Sequence, residues 1–261
     1  MLWWNRAPIL ISIPLVKVRP NIVPPPAEIK DIYDMFLWLY TGLCHQLPSR
    51  SFFWYGHKFP VCARDTGTYL GFTLGLLLGY LWLRNSKLRK WFTSNLGLAW
   101  IFAGLAMLPF AFDGITSYMG LRQTTNPIRF ATGLIAGSHI GTLLILMYMM
   151  IENRLEVFDI RMFSVPINYL PFELGLLLGD SILWVMQFSQ LTLGFLYWSL
   201  VLSIPTVLLI YNLLIVKVAV MLYPKLNKLY FTITISALMV LIELLGSMRF
   251  KLMVLYLHNL K

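Results

Sequence analysis

Residues 66–83 run for 18 positions without a charged side chain, and 96–112 run for 17. Residues 130–151 add 22 more, with only His139 titratable. A helix needs roughly 20 mostly apolar residues to cross the hydrocarbon core of a bilayer. Within that core each backbone N–H and C=O must be satisfied inside its own segment, so such runs are expected to fold as spanning helices. The uncharged stretch 181–216 is too long for one crossing. A break near Gln187 and Gln190 divides this region into spans at 167–186 and 191–216. A sixth span at 229–246 carries Glu243. Residues 29–44 are rich in aromatics but include Lys30, Asp31 and Asp34, and read as an interfacial or partly inserted helix. The expected fold is therefore all-α, a polytopic transmembrane bundle of about six spans. It divides into an interfacial N-terminal segment (1–39), a membrane core (40–151) and a further transmembrane region (152–261).

Composition supports this class. Only 12% of the residues are charged and 58% are hydrophobic, whereas a soluble domain carries about a quarter charged. The net charge of +10 comes without a basic helix or a Lys/Arg run interleaved with aromatics. It reads as loop lysines and arginines facing anionic membrane lipids, with no nucleic-acid partner. The first 20 residues hold a short, proline-interrupted apolar run with no small-residue cleavage site, and read as interfacial rather than as a signal peptide. The loop after the first span holds Arg84, Lys87, Arg89 and Lys90, which sets it on the cytoplasmic side. Counting spans then places residues 44–65 and 113–129 together on the extracytoplasmic side. The tail runs mildly against this rule, because Arg249, Lys251 and Lys261 fall outside.

Glycines recur every fourth residue at Gly67, Gly71, Gly75 and Gly79, and again at Gly133, Gly137 and Gly141. Residues four apart share a helix face, and small residues there let two membrane helices approach closely. The two stripes predict a tight crossing that brings Cys62–Asp65 near Arg129 and Thr132.

The residues with chemistry cluster at this boundary. Cys44, His45 and Cys62 are natural ligands for zinc or another transition metal, and Asp65 offers a fourth. Two other readings stand beside this one. Cys44 and Cys62 suit a disulfide on an outward face, and Asp65 suits a helix N-cap. A second constellation runs Asp113, Arg122, Asn126, Arg129 and Thr132. Its arginines, amide and hydroxyl fit an anionic group such as phosphate, which arginine grips with paired hydrogen bonds. Arg50 and Arg64 bring the arginines near one rim to four. The plainer reading is that these arginines meet ordinary lipid headgroups. His45 and Asp65 are candidate acid–base groups, and Asp113 would orient a ligand or a proton. His57 reads as a solvated loop residue. His139, Glu173, Asp180 and Glu243 lie within later spans, where charges are costly. They are read as structural pairs in preference to an ion path.

The strings CHQLPSRSFFWYG, FPVCARDTGTYLG and DGITSYMGLRQTTNPIRFATGLIAG, taken in order, resemble a prokaryotic membrane family catalogued as domain of unknown function 2085. The resemblance covers about residues 40–150. Asp65 stands where that family often has cysteine, so the resemblance implies a metal or redox pattern that this chain carries with an oxygen in place of one sulfur. It implies no reaction. From the residues, the expectation is a membrane-embedded hydrolase or transferase, metal-dependent in one form, acting on an anionic lipid or isoprenoid phosphate. The alternatives are a transporter or channel using the intramembrane carboxylates, or a scaffold stapled by a Cys44–Cys62 disulfide.

Overall fold

The computed structural model describes residues 28–85, 96–152, 170–222 and 229–259. The N-terminal interfacial segment and most of the basic loop holding Lys87, Arg89 and Lys90 lie outside the described residues. Helix α1 (Ile32–Leu39) starts at Asp31, whose carboxylate accepts from Asp34 N–H at 2.8 Å, satisfying one of the free donors of the first turn. After a 3-10 turn at Pro48–Arg50, strands β1 (Phe53–Trp54) and β2 (His57–Lys58) pair antiparallel, Phe53 opposite Lys58. Tyr55 and Gly56 between them both have positive φ (45° and 87°), the geometry of a two-residue hairpin whose twist matches its strands. His57 stacks on Tyr33 with ring centroids 3.8 Å apart, so it is half-buried rather than a free loop residue.

Six long helices follow: α2 (Ala63–Leu83), α3 (Leu96–Tyr118), α4 (Asn126–Glu152), α5 (Leu170–Met186), α6 (Gln190–Leu222) and α7 (Leu229–Asn259). Five of them, all but α5, are long and apolar enough to cross a membrane. The long uncharged stretch breaks at 187–189, between α5 and α6. The outer faces present Leu77, Leu105, Leu108, Leu178, Leu202 and Ile242, each at least half exposed. Apolar residues facing outward as well as inward suit helices surrounded by lipid. The chain is an all-α membrane bundle.

Successive helices alternate in direction, so one end gathers the starts of α2, α4 and α6 and the ends of α3, α5 and α7. Three bonds tie that end together. Trp184 Nε1 donates to Pro127 O (3.1 Å), Tyr55 N–H to Gln190 Oε1 (3.3 Å), and Lys251 Nζ to Cys44 O (3.1 Å).

Helices α2 and α4 form the tightest contact. A Cβ added to Gly67, Gly71 or Gly75 would overlap backbone of Phe130, Leu134 or Ser138. A Cβ on Gly133, Gly137 or Gly141 would likewise meet Arg64, Thr68 or Phe72. Backbone touches backbone along three turns of each helix. Ser203 of α6 then closes on α2, donating to Tyr69 O at 2.6 Å. The main apolar core joins Phe59, Val61, Leu70, Phe130 and Leu134 to Leu196, Tyr197, Leu200 and Leu244. The C-terminal helices therefore share one core with the segment that carries the motifs.

Several boundaries differ from the sequence expectation. The expected loop 113–129 is mostly helix: α3 continues to Tyr118 and buries Asp113 (1% exposed). Two arginines, the buried Arg64 and the exposed Arg122, hold its charge in the helix. Asp65 is not an N-cap. Cys62 holds that position, without a side-chain bond to the helix, and Asp65 lies in the first turn. An acidic group there still faces the positive end of the helix dipole. The last span does not end at 246 but runs to Asn259, so Arg249 and Lys251 belong to helix α7, not to a tail.

Candidate metal and anion site at the bundle end

The loop before α2 is held by one buried amide. Gln46 is 1% exposed. Its Nε2 donates to Leu37 O (2.8 Å) and Pro60 O (2.7 Å), and its Oε1 accepts from Thr41 Oγ1 (3.3 Å). These bonds fix Gln46 at φ 53°, a left-handed conformation uncommon for a non-glycine residue. The turn aims Cys44 and His45 at Cys62. The ligand atoms of Cys44, His45 and Cys62 all lie within 4.8 Å of one another. Cys44 Sγ accepts N–H bonds from Cys62 (3.2 Å) and Gln46 (3.5 Å), and Cys62 Sγ donates to Asp65 Oδ2 (3.2 Å). Both cysteines are free thiols, so the alternative Cys44–Cys62 disulfide is not formed. Asp65 sits beside the three.

The electrostatics favour neutral ligands in the absence of a metal. Burial pushes the His45 imidazole down to about 4, reinforced by Arg50, Lys251 and Arg129 against the opposing pull of Asp65. His45 is therefore neutral at pH 7, with a ring lone pair available. The neighbouring Cys62 thiol, then burial, then Asp65 hold the Cys44 thiol protonated far above its usual range. A divalent cation would invert this, because a coordinating thiol loses its proton outright.

At the same end of the bundle, Asp113 is clamped by two arginines. Arg64 Nη2 reaches one oxygen at 2.5 Å and Arg122 Nη2 the other at 2.5 Å. Tyr118 is shared by two cations, with Arg50 5.1 Å and Arg64 5.8 Å from its ring centroid. Arg129, 8% exposed, donates to Asn126 Oδ1 at 2.9 Å. Four arginines thus crowd one rim against two carboxylates, Asp65 and Asp113. Arg64 Nε is buried and has no acceptor among the described residues. The metal-type group and the arginines form one electrostatic unit, since Arg50 and Arg129 both act on His45.

Two expected binding residues have protein partners. Asn126 Nδ2 donates to Ser51 O (3.2 Å), and Thr132 Oγ1 to Arg129 O (3.1 Å). Both position Arg129 and its loop. Lys251 was not expected here. It is 8% exposed and donates to Thr41 Oγ1 (3.0 Å) as well as to Cys44 O. It lines an open groove of about 300 Å³ with Cys44, His45 and Phe250. No local pattern marks Lys251 or Gln46. Their roles depend on contacts 207 residues and up to 14 residues away.

A family model described as "Predicted membrane protein (DUF2085)" matches residues 44–143. An uncharacterized protein of Methanothermobacter thermautotrophicus is 42% identical over 102 residues, 39% of this chain and 83% of that protein. The chain belongs to the DUF2085 family. An uncharacterized protein of Methanocaldococcus jannaschii is also 42% identical, over 99 residues, 38% of this chain. The match spans 59% of that relative's length. No solved structure matches the chain. The matched segment contains Cys44, His45, Cys62, Asp65 and all four arginines, whereas Lys251 lies outside it.

Proposed function

We propose that the bundle end is a membrane-embedded site that takes the phosphate or pyrophosphate group of an anionic lipid or isoprenoid and acts on it by hydrolysis or group transfer. The observation that carries this reading is the arginine excess. Arg64 and Arg122 share Asp113, Arg50 and Arg129 add two further charges at the same rim, and the buried Arg64 Nε has no acceptor among the described residues. A multivalent anion would complete that charge balance, and guanidinium forks match its oxygens. Cys44, His45 and Cys62, with Asp65 beside them, would hold zinc or another transition metal. Such an ion supplies a Lewis acid and activates water near neutral pH. Lys251 and Gln46 hold the ligand loop. Membrane lipids are both surroundings and substrate source, and the basic residues at 84–90 support an extracytoplasmic position for the site.

Elemental analysis and thiol titration of detergent-purified protein, wild type beside Cys62→Ser, test the metal. About one equivalent of transition metal, lost in the variant, is the expected result. No metal in the wild type would overturn the metal part. Binding of a labelled isoprenyl phosphate, compared with the same lipid lacking its phosphate, tests the anion part. Equal binding by wild type and Arg129→Gln, with no preference for the phosphate form, would overturn it.

A further inference from the structure

Midway along the bundle, away from the rim, α4 and α5 enclose three titratable side chains that the proposed site does not use. His139 is 7% exposed, Glu173 8% and Asp180 4%. His139 Nε2 lies 2.9 Å from Glu173 Oε2, and Ser138 Oγ lies 2.9 Å from Asp180 Oδ2. The second oxygen of each acid, Glu173 Oε1 and Asp180 Oδ1, is buried with no hydrogen-bond partner among the described residues.

The hydrogens of this group can be counted. His139 Nδ1 lies 2.8 Å from Ile135 O. A carbonyl cannot donate, so Nδ1 carries a proton. Nε2 and Glu173 Oε2 are then two acceptors facing each other unless one more proton lies between them. The histidine–glutamate pair is therefore neutral overall. Ser138 has one hydroxyl hydrogen and two acceptors in reach, Ile135 O at 3.1 Å and Asp180 Oδ2 at 2.9 Å. If Asp180 were ionised, a carboxylate in a dry interior would have one hydrogen bond and one bare oxygen. A buried carboxyl in such surroundings takes up a proton instead. With a proton on Oδ2 every hydrogen has an acceptor. Asp180 donates to Ser138, and Ser138 and His139 both donate to Ile135 O.

We propose that Asp180 is held as a carboxylic acid beside a His139–Glu173 pair that shares one proton, making the α4–α5 interface a proton-binding site inside the bundle. One rotation of the Ser138 hydroxyl, from Ile135 O to Asp180 Oδ2, serves the state in which Asp180 has released its proton. The site can therefore load and unload without moving a helix. A metal ion suits it poorly. Glu173 and Asp180 stand seven residues apart, roughly 10 Å along α5, so one ion cannot take both bare oxygens. The titratable groups that act on Asp180 are His139 from α4 and Glu173 from its own helix. At the neighbouring Gly179, α2 presents the apolar Leu74.

Infrared spectroscopy of the full chain in lipid nanodiscs at neutral pH tests this. Protonated carboxyls give a carbonyl stretch, shifted in D2O, that carboxylates lack. The expected result is a band removed by Asp180→Asn and kept in Glu173→Gln. Ser138→Ala keeps the acid but removes the acceptor of Asp180, and is expected to shift that band. It therefore serves if Asp180→Asn fails to fold. A wild-type spectrum with no protonated-carboxyl band overturns the proposal, as does a band unchanged in both Asp180→Asn and Ser138→Ala. Neither result bears on the rim site.

Discussion

Replacing Gly75 with alanine places a methyl where α2 and α4 touch. Besides overlapping the Ser138 carbonyl oxygen, the new Cβ would lie 2.7 Å from Ser138 C and 2.9 Å from its Cα. Carbon atoms pack at roughly 3.5–4.0 Å, so the helices must part by about 1 Å. Neither side can yield by changing rotamer, because the obstacle is backbone. A gap of that size removes about a third of each dispersion contact along the crossing. If roughly 60 heavy-atom pairs at about 0.15 kcal/mol are affected, the loss is about 3 kcal/mol. Alanine's helix propensity over glycine offsets ~1 kcal/mol of it. The net expectation is a destabilisation of about 2 kcal/mol, within the usual range for overpacking. Gly104→Ala and Gly175→Ala are the controls, since a Cβ at either meets nothing within 4 Å. These should be neutral or slightly stabilising. Reversible unfolding in mixed detergent–SDS micelles reads the difference. If Gly75→Ala unfolds with the controls, the α2–α4 backbone contact does not hold the bundle together and the reasoning fails.

Asp113→Asn should destabilise by about 3–5 kcal/mol, because it leaves the buried Arg64 without its counter-charge. Arg122→Gln should cost less than ~1 kcal/mol, as the Arg122 side chain is 40% exposed; equal losses in a denaturation series would contradict this ordering. Tyr40 is 2% exposed, donates its hydroxyl to Val201 O at 3.0 Å, and is pushed by burial up to about 12. The folded state then holds a proton that the unfolded state releases from pH 10 upward. This contribution is complete below pH 10 and lost as pH rises towards 12. Tyr40→Phe should lower stability by about 1–2 kcal/mol at pH 8, with a smaller difference from wild type at pH 11. A constant difference across that range would show that Tyr40 does not titrate with unfolding.

Hydrocarbon length and backbone satisfaction are local demands, so the spans could be read from uncharged runs alone. The turn between α5 and α6 could be placed the same way, from the length of 181–216. The clustering of Cys44, His45, Cys62 and the arginines on one end also followed from span counting, since only two crossings separate the motifs. In the sequence Asp113 reads as a loop residue, because a carboxylate in an apolar run reads as its end. Only the partners Arg64 and Arg122 make its burial in α3 affordable. Asp65 had the residue type of an N-cap, but the helix begins at Ala63, so Cys62 takes that position.

The sequence by itself determined that this chain lies in a membrane, roughly where it crosses, and which residue types gather at one end, because those properties follow from apolar length and helix periodicity. The tertiary structure decided which groups meet. It placed Lys251 against Cys44, locked Gln46 in a left-handed turn, and set His139, Ser138, Glu173 and Asp180 in one hydrogen-bonded group. Those pairings depend on helix rotation and depth, which are set by side chains and backbone from distant segments packing together and leave no local trace along the chain.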